Sequence, residues 1–416
     1  MSHRGPGSHL KIACVIPTMR AGGAERVVAE LCSYLVKRRD EVHLLTLTTK
    51  DEEPFYKLHP AIQQIRIGQL PAEARLTRAC RIAQRTLKLR SAIKEIAPDL
   101  VLSNLTVMNI LVLMATRGLG VPVIASEHND IDAEREDLGR LRDFVRHLTY
   151  PTATRITVLT QRSFGAIGEA LAGRTAIIPN PIRPAVYKAQ PGQPAKNGRY
   201  RIISVGRLVP QKAQHVGIEA FASLASSFPE WDFVIFGEGP QRTELQALIH
   251  ARGLSDRVFL PGLTQDVEKE LSSSHVFALP SLYEGFPMSL GEGLAVGLPA
   301  TAFAKVSGVE ELILHERTGL IASGPDPTES LAEQLSRLMR DARLRATLGA
   351  AARKHVRAWR PELVFGQWSE LFDSVGALAE TGGVRPPASR VIPHAADLRI
   401  TAHAVSGIEL DSSVAR

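Results

Sequence analysis

Residues 275–303, HVFALPSLYEGFPMSLGEGLAVGLPATAF, hold two short apolar runs separated by a glycine-containing loop and a helical stretch. Each run has the length of a buried strand, and a helix between two such strands is typical of a parallel sheet covered on both faces. Ligands of such sheets bind outside the carboxyl ends of the strands, where this loop lies. The stretch therefore predicts a doubly wound α/β fold with a ligand site at the loop.

The same alternation of strand and helix occurs twice along the 416 residues. In the first half the strand candidates are KIACVIPT (11–18), EVHLLTL (41–47), DLVLSN (99–104) and VPVIAS (121–126). After the proline-rich PNPIRPAVY (179–187) the pattern restarts with RIISVG (201–206), DFVIFG (232–237) and RVFLPG (257–262). We expect two Rossmann-like domains that face a central cleft and are joined near residues 179–184.

Composition narrows the class of protein. Hydrophobic residues make up 44% of the chain and charged residues 22%, as in soluble globular proteins. The three cysteines, Cys14, Cys32 and Cys80, fit no disulfide or metal spacing, which favours a reducing cytoplasm. No window reaches the ~18 apolar residues of a spanning helix, and the apolar run before Pro17 is too short for a signal peptide. We expect a cytoplasmic protein with a disordered tail over residues 381–416.

The net charge of +7 is unevenly distributed. Residues 1–183 hold 26 Lys and Arg against 18 Asp and Glu, whereas the remainder holds 24 against 25. Residues 75–94 carry seven basic residues and no acid, and helical periodicity places Arg78, Arg81, Arg85 and Lys88 on one side and Ala83 and Leu87 on another. This pattern fits a solvated surface helix or a helix that rests on an anionic membrane surface. Nucleic acid is not expected, because no recognition motif accompanies the charge.

Three pairs of residues suggest a site for an activated sugar. Gly22 and Gly23 open a helix after the first strand, so their amides and the helix dipole can approach a phosphate. Arg207 and Lys212 follow the first strand of the second half and can neutralise a diphosphate. Glu284 and Glu292 flank the loop quoted above. Two carboxylates at this spacing can fix a sugar hydroxyl at one end and a ribose diol at the other.

The motifs together resemble glycosyltransferase family 4, whose members retain the anomeric configuration and have the two-Rossmann GT-B fold. The resemblance runs from about residue 11 to 375 through IPTMRAGGAERVVAEL, SEHND, PNPI, VGRLVPQK, FGEGPQRTELQ, the Glu284–Glu292 loop and ELILHERTGLI, in the family's order. It implies an acceptor-side domain over residues 10–183 with a returning helix at about 362–380, and a nucleotide-sugar-binding domain over residues 184–361.

The resemblance also implies roles for individual residues. Glu284, His128, Arg207 and Lys212 would act at the reacting sugar and diphosphate. Donor binding would add Gly22, Gly23, Gly237, Phe286, Met288, Ser289 and Glu292. It implies no metal, because the cations and amides stabilise the leaving nucleoside diphosphate, and the DID at 130–132 is then redundant. A phosphate oxygen, not a protein base, would accept the proton of the acceptor.

AGGAERVVAEL and SEHND most resemble bacterial enzymes that extend undecaprenyl-diphosphate-linked glycans, exopolysaccharides or lipopolysaccharides. We therefore expect a UDP-sugar donor, a lipid-linked or polysaccharide acceptor, and a peripheral place at the inner face of the cell membrane. The chain departs from the usual pattern at Glu292–Gly293 and at KVSGVEEL (305–312), which border the sugar pocket. A GDP-mannose-dependent transferase, a sugar-nucleotide epimerase of the same fold, and a binding protein without chemistry are the alternatives.

Overall fold

The computed structural model describes residues 9–49, 51–68, 78–133 and 140–380. Within these residues, thirteen strands form two sheets, and every neighbouring pair of strands is parallel. The predicted pair of doubly wound α/β domains is confirmed. The expected tail at 381–416 lies outside the described residues.

The first sheet is ordered β3-β2-β1-β4-β5-β6-β7. Its strands are β1 (Lys11–Ile16), β2 (Glu41–Thr46), β3 (Gln63–Arg66), β4 (Leu100–Asn104), β5 (Val123–Ser126), β6 (Arg155–Val158) and β7 (Thr175–Ile177). Its helices are α1 (Gly23–Lys37), α2 (Arg78–Ile96), α3 (Thr106–Thr116), α4 (Arg140–Thr149), α5 (Gln161–Ile167) and α6 (Glu169–Ala172). Strands β1 and β4 are almost entirely buried, as their unbroken apolar runs predict.

The second sheet is ordered β10-β9-β8-β11-β12-β13. Its strands are β8 (Tyr200–Val205), β9 (Trp231–Phe236), β10 (Val258–Gly262), β11 (Val276–Leu279), β12 (Ala300–Phe303) and β13 (Gly319–Ala322). Its helices are α7 (Gln214–Leu224), α8 (Arg242–Ala251), α9 (Val267–Ser272), α10 (Met288–Val296), α11 (Val309–Leu312), α12 (Pro327–Arg340) and α13 (Ala342–His355). Strand order reverses beside β8, so the loops after β8 and β11 meet at a switch point of the kind that binds ligands.

The last described helix, α14 (Pro361–Glu380), returns to the first domain. The ring of Phe365 lies 5.2 Å from that of Tyr34 in α1, and the Nη1 atom of Arg38 donates to Asp373 at 2.8 Å. The linker before β8 is therefore not the only segment that connects the two domains, because α14 does so as well. The exact boundary at residue 183 stays a prediction.

The basic helix is present as α2, but its faces are arranged differently from a simple basic surface. Arg81 is exposed, whereas Arg85 and Lys88 are half-buried, and the Nζ atom of Lys88 donates to the Ile67 carbonyl at 3.5 Å. Leu87, on the other side, is 66% exposed. The side chain of Arg78 lies outside the described residues. No described helix combines the length and the apolar character needed to span a bilayer.

Candidate active site in the cleft between the domains

Helices α1 and α10 begin next to each other across the cleft. A β-carbon added to Gly23, the first residue of α1, would lie 3.7 Å from the Cγ atom of Met288, the first residue of α10. The first amides of a helix have no partner within it, and its N-terminus carries partial positive charge. Two helix ends, one from each domain, therefore make this part of the cleft attractive to an anion.

Gly22 precedes α1 in an extended backbone conformation, with a φ of −172°. A β-carbon there would overlap only the carboxylate of Glu25, the far end of a flexible side chain. The hydroxyl of Tyr56 donates to the Gly22 carbonyl at 3.0 Å and accepts from its amide at 3.3 Å. Tyr56 thus fixes the loop between β1 and α1, and it occupies the Gly22 amide that the sequence assigns to phosphate binding.

Lys212 and Glu284 form an ion pair on the other side of the cleft. The Nζ atom of Lys212 donates to Oε1 of Glu284 at 2.5 Å, and the hydroxyl of Ser281 donates to the same oxygen at 2.7 Å. The lysine stem packs against Gly206 at the end of β8. Glu284 is buried, so both hydrogen bonds satisfy a carboxylate that has lost most of its water.

Arg207 is exposed where the chain leaves β8. A β-carbon at Gly237, which has a φ of +148°, would overlap the Gly206 carbonyl, so the ends of β8 and β9 approach backbone to backbone beneath Arg207. Burial raises the pKa of the Glu25 carboxyl in α1, while the charge of Arg207 acts in the opposite direction. Arg207 therefore acts electrostatically on the first domain across the cleft.

Glu292 forms an ion pair with a residue of the first domain. The Nη1 atom of Arg26 donates to Oε1 of Glu292, and the Nε atom of Arg26 donates to Oε1 of Glu30 at 3.0 Å. Arg26 lies in the first turn of α1 and Glu292 in α10. This pair links the two helices whose N-termini meet.

His128 faces the second domain through its backbone. A β-carbon at Gly285 would overlap the carbonyl oxygen of His128. The Nε2 atom lies 3.0 Å from Oδ1 of Asn104 and 3.3 Å from the hydroxyl of Ser126, and the buried Nδ1 atom has no hydrogen-bond partner among the described residues. Burial lowers the pKa of His128 to about 4, so the imidazole is neutral at pH 7.

The remaining predicted positions form the start of α10. Phe286 is buried with its ring centroid 6.4 Å from that of Trp359, and Met288 and Ser289 are half-buried at the first two positions of the helix. The predicted positions between Glu284 and Glu292 thus form one loop and the first turns of α10. Their roles toward a donor stay predictions.

Metal binding finds no separate support in the described ranges. They hold no group of three or more His, Cys, Asp or Glu residues arranged to bind a metal. The Oδ1 atom of Asp130 accepts the backbone N–H groups of Asp132 and Ala133 at 2.9 and 3.1 Å. The first carboxylate of the DID triplet is therefore engaged by the local backbone.

Sequence reasoning missed three residues of the cleft, namely Glu25, Arg26 and Tyr56. Glu25 and Arg26 lie within AGGAER, but only its glycines were assigned, because charged residues in a helix are usually solvated. The available signal was their position in the first turn of α1, directly after the glycines that the sequence assigns to phosphate binding. No motif marks Tyr56.

Two family models match the chain in succession. Residues 21–186 match Glycosyltransferase Family 4, and residues 187–355 match Glycosyl transferases group 1. An N-acetylgalactosaminyltransferase of Campylobacter jejuni that acts on an undecaprenol-linked glycan is 26% identical over 88% of this chain and 99% of its own length. An exopolysaccharide phosphotransferase of Streptomyces coelicolor is 37% identical over 54% of this chain, and this match spans 24% of that longer protein.

The fold is also similar to that of solved structures. The Anabaena protein HepE, in complex with UDP and glucose, superposes with a TM-score of 0.71 at 18% identity over 88% of this chain and all of HepE. This likeness supports the two-domain fold described above.

Proposed function

The chain belongs to glycosyltransferase family 4, with the GT-B arrangement of two Rossmann-like domains, and from that premise we propose a specific reaction. The protein moves a hexose or N-acetylhexosamine from a UDP-sugar to a polyprenyl-diphosphate-linked or polysaccharide acceptor, with retention and without a metal. The observation that carries this proposal is the meeting of the N-termini of α1 and α10 beside Lys212 and Arg207.

The diphosphate of the donor lies between the two helix ends. Arg207, which makes no ion pair within the described residues, offers a planar fork to the phosphate oxygens. The Nζ atom of Lys212 lies 2.5 Å from Oε1 of Glu284. Lys212 therefore lies between the diphosphate and the sugar of the donor. These cations and amides stabilise the negative charge that grows as the nucleoside diphosphate leaves, which is the part that a divalent cation takes in other transferases.

The two carboxylates hold the organic parts of the donor. Both described hydrogen bonds to Glu284 go to Oε1, which leaves Oε2 for a hydroxyl of the sugar. Glu292 accepts the ribose hydroxyls. His128 is neutral, so it contributes a hydrogen bond to the sugar from the opposite domain and does not act as an acid.

In the reaction the bond between the anomeric carbon and the phosphate oxygen breaks, and the acceptor oxygen bonds to that carbon on the same face. A non-bridging phosphate oxygen takes the acceptor proton, so the products are the glycoside and UDP. The configuration is retained without a dedicated protein base. Because the helix ends belong to different domains, closure excludes the water that would hydrolyse the donor.

The acceptor and location rest on the relatives and on α2. The Campylobacter relative acts on an undecaprenol-linked glycan by its name, and the Streptomyces relative is named for exopolysaccharide. A lipid-linked acceptor requires the enzyme at a membrane surface, for which we propose the inner face of the cell membrane. The stripe Arg78, Arg81, Arg85 and Lys88 would meet its anionic surface, with the exposed Arg81 making the main contact.

A nucleotide-sugar panel tests the donor. UDP-hexoses and UDP-N-acetylhexosamines should raise the melting temperature, because a ligand that binds only the folded state stabilises it, and GDP-mannose should not. UDP release from the best donor should then require a glycan acceptor. Stabilisation by GDP-mannose alone would mean that the donor is GDP-mannose and not a UDP-sugar. Conversion of the donor to its epimer in the absence of an acceptor would mean that the protein is an epimerase and not a transferase.

A further inference from the structure

A chain of charges connects the linker, α1 and α10. Arg26 bonds to Glu292 on one side and to Glu30, four residues along α1, on the other. The Nη2 atom of Arg183, in the linker, lies 2.9 Å from the same Oε1 atom of Glu30. The chain thus runs from Arg183 through Glu30 and Arg26 to Glu292.

The centre of this chain is largely shielded from water. The side chains of Arg26 and Glu292 are 26% and 21% exposed. Burial alone would lower the pKa of Arg26, but the carboxylates of Glu292 and Glu30 outweigh it and raise the pKa above its ordinary value. Arg26 is therefore charged at every physiological pH, and removing it would leave the Glu292 carboxylate half-buried without its partner.

The linker also contacts α10 directly. The Ile182 amide donates to the Trp359 carbonyl at 2.7 Å, and the Ile182 side chain fills the space where a β-carbon of Gly291 would lie. Gly291 immediately precedes Glu292. The contact of the linker with Gly291 therefore lies next to the contact of Arg26 with Glu292. Arg26 and Glu292 are 266 positions apart in the sequence.

We propose that Arg26 is a positioning residue for Glu292. Its guanidinium holds one carboxylate oxygen so that the remaining acceptor positions face the ribose diol of the donor nucleotide. This inference rests on the proposed function, because it takes Glu292 as the ribose ligand. Since Arg26 belongs to the opposite domain, recognition of the ribose requires the closed cleft.

The geometry favours positioning over direct phosphate binding. A carboxylate offers about four acceptor positions, and the described contact with Arg26 uses one of them, on Oε1. Two of the Arg26 nitrogen atoms, Nε and Nη1, are already directed at carboxylates. A positioning role and direct phosphate binding differ in which part of the nucleotide loses affinity when Arg26 is replaced: the ribose in the first case and the diphosphate in the second.

The experiment compares UDP with 2′-deoxy-UDP by titration calorimetry. Wild-type protein should bind UDP about tenfold or more tightly than the deoxy analogue, because a hydrogen bond to a charged acceptor is lost. Arg26→Gln, Glu292→Gln and the double variant should each bring this ratio close to one, with the double variant no worse than the weaker single variant. Arg26→Lys, which keeps the charge without the fork, should recover part of the ratio.

Arg38→Gln is the matched control. Arg38 follows the other end of α1, is 21% exposed and also pairs with two carboxylates, those of Asp40 and Asp373. It should keep the wild-type ratio. A full ratio in Arg26→Gln, with UDP and deoxy-UDP weakened equally, would overturn the inference and leave the proposed function in place. Wild-type protein that binds no nucleoside diphosphate would overturn both.

Discussion

The carbonyl oxygen of His128, in the first domain, occupies the space into which a β-carbon of Gly285, in the second domain, would project. The contact joins the loop after β5 to the loop after β11, and Glu284 directly precedes Gly285. Only glycine allows the backbones to approach so closely, so the distance between the domains at the site is set here.

Gly285→Ala should separate the two loops. The backbone at Gly285 is not in the left-handed region, so the variant adds a clash and no conformational strain. We expect kcat/KM to fall about 100-fold, the scale of a 1 Å misplacement at a reacting centre. The matched control is Gly366→Ala in α14, where a β-carbon meets nothing within 4 Å. It should keep full activity and gain about 0.5–1 kcal/mol of stability. Full activity in Gly285→Ala would contradict the tight approach.

Glu284→Gln should separate turnover from nucleotide binding. The amide keeps the size of the side chain but removes the charge that Lys212 and Ser281 now satisfy. We expect kcat to fall by about two orders of magnitude, the scale of losing one transition-state hydrogen-bonding group, while UDP affinity changes little. Glu292→Gln should do the reverse, lowering UDP affinity while kcat changes little. Equal effects of both variants on UDP affinity would contradict the assigned ends of the donor.

His128 should make stability depend on pH. Because burial lowers its folded-state pKa to about 4 from 6.5, the unfolded chain binds an extra proton between these values. The contribution of neutral His128 to the free energy of unfolding is fully present above pH 6.5 and is lost as the pH falls toward 4. Between pH 7 and pH 5 the loss should be about 2 kcal/mol. His275, whose pKa burial also lowers to about 4, adds a similar dependence.

His128→Asn isolates this contribution. Urea unfolding at pH 7 and pH 5 should show a smaller loss of stability in His128→Asn than in wild type, since His275 is retained. An identical loss in both proteins would mean that His128 titrates as if it were exposed.

Arg81→Glu should weaken binding to anionic vesicles. Arg81 is exposed, whereas Arg85 and Lys88 are half-buried, and Lys88 bonds to the Ile67 carbonyl, so that its reversal would perturb the fold. Each basic residue near such a surface contributes about 1 kcal/mol, so reversal should cost roughly tenfold or more in partitioning. Arg343→Glu, an exposed change in the second domain, should have no such effect. Equal partitioning of both variants in a flotation assay would remove the membrane proposal.

Much of the fold could be predicted because buried parallel strands leave unbroken apolar runs. Strands β1, β2, β4 and β11 fall within the predicted stretches. Strand β3, QQIR, was missed because it is polar and lies at the sheet edge, where only one neighbour stabilises it.

The orientation of α2 shows a second limit. Helical period separates a basic side from an apolar side but does not say which one packs. Arg85 and Lys88 bury part of their aliphatic stems while Leu87 faces solvent, as long basic side chains allow.

The site was predictable where loops carry recognisable spacing and was missed where a contact crosses domains. Glu284, Glu292, Arg207 and Lys212 were predicted from local sequence, and of these the structure pairs Lys212 with Glu284. The pairing of Arg26 with Glu292 depends on how two complete domains face each other, and no local pattern encodes that. Tyr56 was missed for a different reason: its partner Gly22 lies in the same domain but 34 residues away in the sequence, and no motif connects the two.

Calorimetric binding of UDP, UMP and uridine tests the central claim most directly, namely that two helix ends and two cations grip the diphosphate of the donor. We predict that UDP binds at least about 100-fold more tightly than uridine, with UMP between them, and that Arg207→Gln removes most of this difference. Equal affinity for UDP and uridine in the wild-type protein would contradict it.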